Sequence, residues 1–116
     1  MPTIKINIAA LVGDLCITSE DGEKVHSQIV HALQNGTDVE VDFSNVSVFA
    51  SPFLNAAIGS LLRDYASEDL NRRTSFLGLT AENYALLRRV IANAREYFSN
   101  PRVRKLVDAT LANSNE

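Results

Sequence analysis

The sequence holds a single cysteine, Cys16, in 116 residues, so no disulfide can close within the chain. With no second Cys and no His at metal-ligand spacing, Cys16 reads as a small buried hydrophobe on a strand rather than a nucleophile. Glycine is scarce too. Of the five, Gly13, Gly22 and Gly36 fall where turns or helix ends are expected, which leaves little for a phosphate-cradling loop. No serine is flanked by glycines two residues to either side, so the nucleophile-elbow pattern is missing. His26 and His31 are five residues apart on one predicted helix, which sets them about 140° apart around its axis and prevents an easily shared metal. No apolar run approaches the roughly 20 residues that cross a bilayer. The start Met1-Pro2-Thr3-Ile4-Lys5 lacks the basic-then-apolar layout of a secretion signal. These absences predict a cytoplasmic, non-enzymatic protein with no cofactor, no metal and no membrane partner.

Arginine is missing from the first half of the chain. Residues 1–58 carry two Lys and no Arg against seven acids, whereas residues 59–116 carry nine basic residues against seven acids. The net charge of -3 argues against general nucleic-acid binding. The basic surplus of the second half marks either a solvated helix surface or a face that orients a partner.

The remaining composition, 46% apolar and 22% charged, is that of a globular chain. Its length suits one domain, taken as residues 1–112, with a frayed tail over 113–116. Ile4, Ile6 and Ile8 alternate with Lys5 and Asn7 as a first strand, and the Gly13-Asp14 turn leads to a second, Leu15-Cys16-Ile17, expected to pair with it. Thr18 or Ser19 caps the next helix, with Glu20, Asp21 and Glu23 at the positive end of its dipole. Its inner face is Val25, Ile29, Ala32 and Leu33, and Asn35-Gly36 ends it. His31 faces solvent on this helix, while His26 lies nearer the core boundary.

From Thr37 to Phe43, Val39, Val41 and Phe43 alternate with Asp38, Glu40 and Asp42, the pattern of a half-buried strand. Leu54, Ala57, Ile58, Leu61, Leu62 and Tyr65 then recur at helical spacing. Ser51 and Pro52 stand at the join, where serine suits the N-cap and proline the first helical position. Residues Ser67 to Arg73 read as a polar connecting loop and Thr74 to Leu79 as a strand. Thr80 caps a long helix whose buried stripe is Leu87, Val90, Ile91, Ala94 and Phe98. Asn100-Pro101 begins a last helix with Val103, Leu106, Val107 and Leu111 on one face, which docks on the domain or on a second subunit. The order of elements predicts an α/β domain with a mixed four-stranded sheet, covered mainly on one side by helices, plus the C-terminal helix.

The run from Val41 to Gly59 resembles the strand–loop–helix signature of STAS domains, the fold of anti-sigma factor antagonists, and more closely a STAS-like family of unknown function. Asp42 matches the strand-end aspartate of the antagonists, Ser51 their phosphorylatable serine, and Leu54 and Gly59 their helix positions. Ala50 stands where the antagonists have aspartate, Pro52 replaces a second serine, and Phe53 replaces glycine. The resemblance implies a regulatory module that docks a kinase-like ATPase or anti-sigma factor through Asp42, Val48, Phe49, Ser51, Phe53 and Asn55, with a phosphate on Ser51 that blocks docking. An exposed Phe53 at the helix start would support this reading, whereas phenylalanine is more often packed into the core. Two alternatives stand beside it. One is a small-molecule or nucleotide sensor in which Arg88 or Arg89 contacts an anion near the helix start. The other is an oligomeric scaffold built through the last helix.

Overall fold

The computed structural model describes residues 2–99 of the chain. The expected C-terminal helix and the 113–116 tail lie outside these residues.

Strand β1 (Thr3–Asn7) is followed at once by helix α1 (Ile8–Val12), because the Asn7 side chain accepts a hydrogen bond from the Ala10 amide at 2.9 Å and caps it. The expected pairing of the first two strands is therefore not formed. Ile8, counted as the third alternating residue of a strand, is the first residue of that helix and fully buried. Strand β2 (Leu15–Cys16) precedes α2 (Ser19–Gln34), whose N-cap is Thr18, accepting from the Asp21 amide at 3.1 Å. At its far end Gly36 takes φ 73° while the Thr37 amide bonds back to the Ala32 carbonyl at 2.9 Å, a Schellman closure. Strands β3 (Asp38–Asp42) and β4 (Val48–Phe49) lead to α3 (Ser51–Ala57) and a 3₁₀ turn, Gly59–Arg63. Helix α4 (Ser67–Arg73), strand β5 (Thr74–Leu77) and α5 (Ala81–Ser99) complete the order. Thr80 caps α5, accepting from the Asn83 amide at 3.2 Å.

The sheet is neither mixed nor four-stranded. β1, β3 and β5 form one parallel sheet in the order β1-β3-β5, and β2 and β4 form a separate parallel pair. In the larger sheet, Ile6, Val41 and Phe76 lie in one row on the core face, and Lys5, Glu40 and Ser75 lie in one row on the other. Parallel sheets are usually covered on both faces. Here the outer row adds nothing to the core: Lys5 and Ser75 are exposed and Glu40 is half-buried. The core fills the space on the apolar face, with Val25 and Ile29 from α2, Phe53 and Leu54 from α3, and Leu87 and Val90 from α5.

Two tight features fix the helices. Gly22 is buried in the first turn of α2, and a Cβ there would stand 2.5 Å from the Phe53 carbonyl oxygen and 2.8 Å from the Ala56 Cβ. This glycine, expected to serve a turn or helix end, is what lets α3 lie directly on α2. Residues 67–73, expected as a loop, form α4 with acids Glu68 and Asp69 in the first turn and Arg72 and Arg73 in the last, as the helix dipole favours. From its end Arg73 donates to the Leu33 carbonyl at 2.9 Å and reaches Asp38 at 3.5 Å, tying the close of α2 to the start of β5.

Candidate functional site

Asp42 builds the turn that starts the candidate loop. The Ser44 amide donates to its Oδ1 at 2.9 Å, and the Phe43 amide bonds the Leu77 carbonyl at 2.8 Å. Hydrogen bonds from Ser44, from its hydroxyl and then its amide, hold the Asp42 carboxyl below its ordinary value of 3.8. Asn45 then takes a left-handed φ of 68°, which asparagine tolerates better than most residues. Gly78 closes on this turn so tightly that a Cβ would stand 2.5 Å from the Ser44 nitrogen. Asp42 thus shapes the loop from below.

The loop is then carried across to β2. The Ser47 amide donates to the Asp14 carbonyl at 2.8 Å and the Ala50 amide to the Cys16 carbonyl at 2.9 Å. In the β2–β4 ribbon Leu15 stands opposite Val48 and Cys16 opposite Phe49. The second row turns inward: Cys16 is fully buried, and the half-buried Phe49 ring lies 5.1 Å from that of Phe43. The first row turns outward, leaving Leu15 49%, Val48 42% and the following Ile17 44% exposed. An apolar patch therefore faces solvent beside the start of α3, a feature the sequence reading caught only at Val48. Burial, then the charges of Asp21 and Asp14, push the Cys16 thiol up to about 11, so it stays protonated and unreactive at neutral pH.

Ser51 is not the helix cap. Ala50 occupies that position with φ -128° and ψ 149°, no side chain caps the helix, and Ser51 is its first residue. The Ser51 hydroxyl is exposed and makes no hydrogen bond among the described residues. Phe53, expected on the docking surface, is instead fully buried in the core, and its backbone carbonyl lies against Gly22 of α2. Asn55 is exposed one turn on. Of the six residues proposed for docking, Val48, Ser51 and Asn55 are open to a partner, Phe49 is half-buried, Asp42 shapes the turn, and Phe53 belongs to the core.

The two histidines differ as expected, His31 exposed and His26 half-buried. His26 has a partner that sequence spacing could not reveal: its Nδ1 lies 2.8 Å from Ser60 Oγ, 34 residues away, while that hydroxyl donates to the Ala56 carbonyl at 2.6 Å. A hydroxyl has one proton, and here it goes to Ala56, so His26 Nδ1 carries a hydrogen and donates to Ser60. Protonated at that nitrogen, His26 cannot act as a base toward Ser60 in this arrangement. Burial, followed by the nearby Arg63 charge, lowers the His26 pKa from 6.5. The expected anion contacts are not gathered at Ser51. Arg88 stands over the Tyr84 ring at 6.0 Å and lines a groove against β5, and Arg89 is exposed. Neither forms a hydrogen bond or ion pair with Ser51.

Among the described residues no helix is long and apolar enough to cross a membrane. The family described as "STAS-like domain of unknown function (DUF4325)" matches residues 21–84, more than half of the chain, from the first turn of α2 through the candidate loop to the first turn of α5. Comparison with curated proteins and with solved structures gives no match.

Proposed function

Because the chain belongs to this STAS-like family of unknown function, we propose that it is a non-enzymatic regulatory module that binds a protein partner on the surface formed by the β2–β4 ribbon and the start of α3. The observation that carries this reading is the outward row of Leu15 and Val48, continued by Ile17, next to a Ser51 hydroxyl that serves no structural bond. Contiguous apolar surface of this kind is typical of protein contacts. The resemblance to anti-sigma factor antagonists gives the partner as a kinase-like ATPase or anti-sigma factor, with Ser51 as the residue modified.

The switch follows from charge. A phosphate on Ser51 would bring roughly -1.5 to -2 charges to the first turn of α3, where free backbone amides tolerate it without unfolding. The same charge beside Leu15 and Val48 would oppose an apolar partner surface, so docking is lost while the fold remains.

The test is a pull-down from source-cell extract with wild type, Ser51→Ala, Ser51→Asp and Val48→Asp proteins, each shown by thermal melting to be folded. Capture of a kinase-like ATPase or anti-sigma factor by wild type and Ser51→Ala, with release by the two aspartate variants, is the expected result. If all four capture the same partners, or none captures any, this reading is wrong.

A further inference from the structure

A second surface lies away from Ser51, between α5 and the outer edge of β5. β5 pairs with β3 on one side only, so its other edge has no strand partner among the described residues. Beside that edge runs an open groove of about 650 Å³, lined from the strand by Thr74, Ser75 and Phe76 and from the helix by Arg88, Ile91 and Arg95. Phe76, Ile91 and Arg95 also line a narrower recess of about 70 Å³, whose apolar part is completed by Ile58, Leu61 and Leu70.

The charges in this groove are of one sign. Arg63, Arg72 and Arg73 each have an acidic partner, Asp64, Asp69 and Asp38, whereas Arg88 and Arg95 have none among the described residues. No carboxylate lines the groove among those residues. Arg88, Ile91 and Arg95 follow the i, i+3, i+7 pattern of one helix face, which sets the two arginines about 10 Å apart along the axis with the isoleucine between them.

We propose that this groove binds an extended acidic segment of a partner protein, added to the open edge of β5, with the pattern acidic–x–aliphatic–x–acidic. In an extended chain, side chains two residues apart share a face, and the outer two of three such residues are about 13 Å apart. That span brings one carboxylate to each arginine, within the reach of their long side chains, and puts the aliphatic group over the recess between Phe76 and Ile91. Backbone bonding to the strand edge supplies the remaining affinity, and the pockets between supply selectivity.

The site is independent of the Ser51 surface, and its test separates the two. The full-length chain, labelled with ¹⁵N, is titrated with a synthetic Gly-Glu-Ser-Leu-Ser-Glu-Gly peptide capped at both ends. Saturable shifts are expected in the amides of Thr74–Leu77 and in α5, weakened about tenfold by Arg88→Glu or Arg95→Glu. Replacing the peptide's leucine by alanine is expected to weaken them similarly, and replacing its glutamates by lysine to abolish them. Ser51→Asp is expected to leave the titration unchanged. Melting curves matching wild type establish that the arginine variants are folded. Absence of saturable shifts at β5, equal shifts with the lysine peptide, or indifference to Arg95→Glu would each overturn the proposal.

Discussion

Gly22 of α2 lies against the backbone of Phe53 in α3, so closely that a single added methyl group would stand 2.5 Å from that residue's carbonyl oxygen. Backbone cannot swing aside as a side chain can. Gly22→Ala is therefore expected to destabilise the fold by about 2 kcal/mol through overpacking, despite alanine's better helix propensity. Urea unfolding followed by circular dichroism measures this, and a stabilised variant would show that the two helices separate freely.

Two hydroxyl residues at helix starts should behave oppositely. Thr18 accepts the Asp21 amide, so Thr18→Ala is expected to cost about 1 kcal/mol. Ser51 accepts nothing, and Ser51→Ala should change stability by less than about 0.5 kcal/mol. Equal losses in the same unfolding assay would restore Ser51 as a cap.

Phe53 and Val48 should likewise part company. Phe53→Ala removes a fully buried ring and is expected to cost roughly 3 to 5 kcal/mol. Val48→Ser, on the exposed row of the ribbon, should leave the unfolding midpoint nearly unchanged while, under the docking proposal, reducing capture of the proposed partner. A normal unfolding midpoint for Phe53→Ala would contradict its place in the core.

The lowered pKa of His26 sets a pH dependence with a definite sign. The unfolded state takes up the proton first as pH falls below about 6.5, while the folded state takes it up only at lower pH. The contribution is present in full above that value and is lost as pH falls through the folded pKa. Unfolding free energies measured from pH 7.5 down to pH 5 should therefore decline in wild type and decline less in His26→Asn. A His26 ring titrating above 6.5 by NMR would reverse the sign.

The parts of this fold that sequence makes legible are the periodic ones. Val39 and Val41 alternate through β3, Val25 to Leu33 stripe α2, and Thr18, Gly36 and Thr80 mark helix ends, each by a rule that acts within a few residues. The misread parts depend on distant partners or on a pattern that straddles a boundary. Ile4, Ile6 and Ile8 alternate smoothly, yet Asn7 starts a helix inside the run. Helix α4 has one buried apolar residue, Leu70, and so shows no stripe. At the candidate site, the loop and Ser51 were found by the resemblance, and Val48 and Asn55 are exposed there. The inward turn of Phe53, the role of Leu15 as Val48's neighbour, and the Ser60 partner of His26 all arise from contacts between separate elements.

The splitting of the strands into two sheets makes the Ser51 surface mechanically distinct. Val48 and Phe49 are laddered only to Leu15 and Cys16, a pair of residues on each side, whereas β1 and β3 are matched over five. A partner that pulls on the ribbon therefore unzips a short seam and leaves the long one closed. What anchors the short seam is its inward row, since Cys16 and Phe49 would have to leave the core before the ribbon could part.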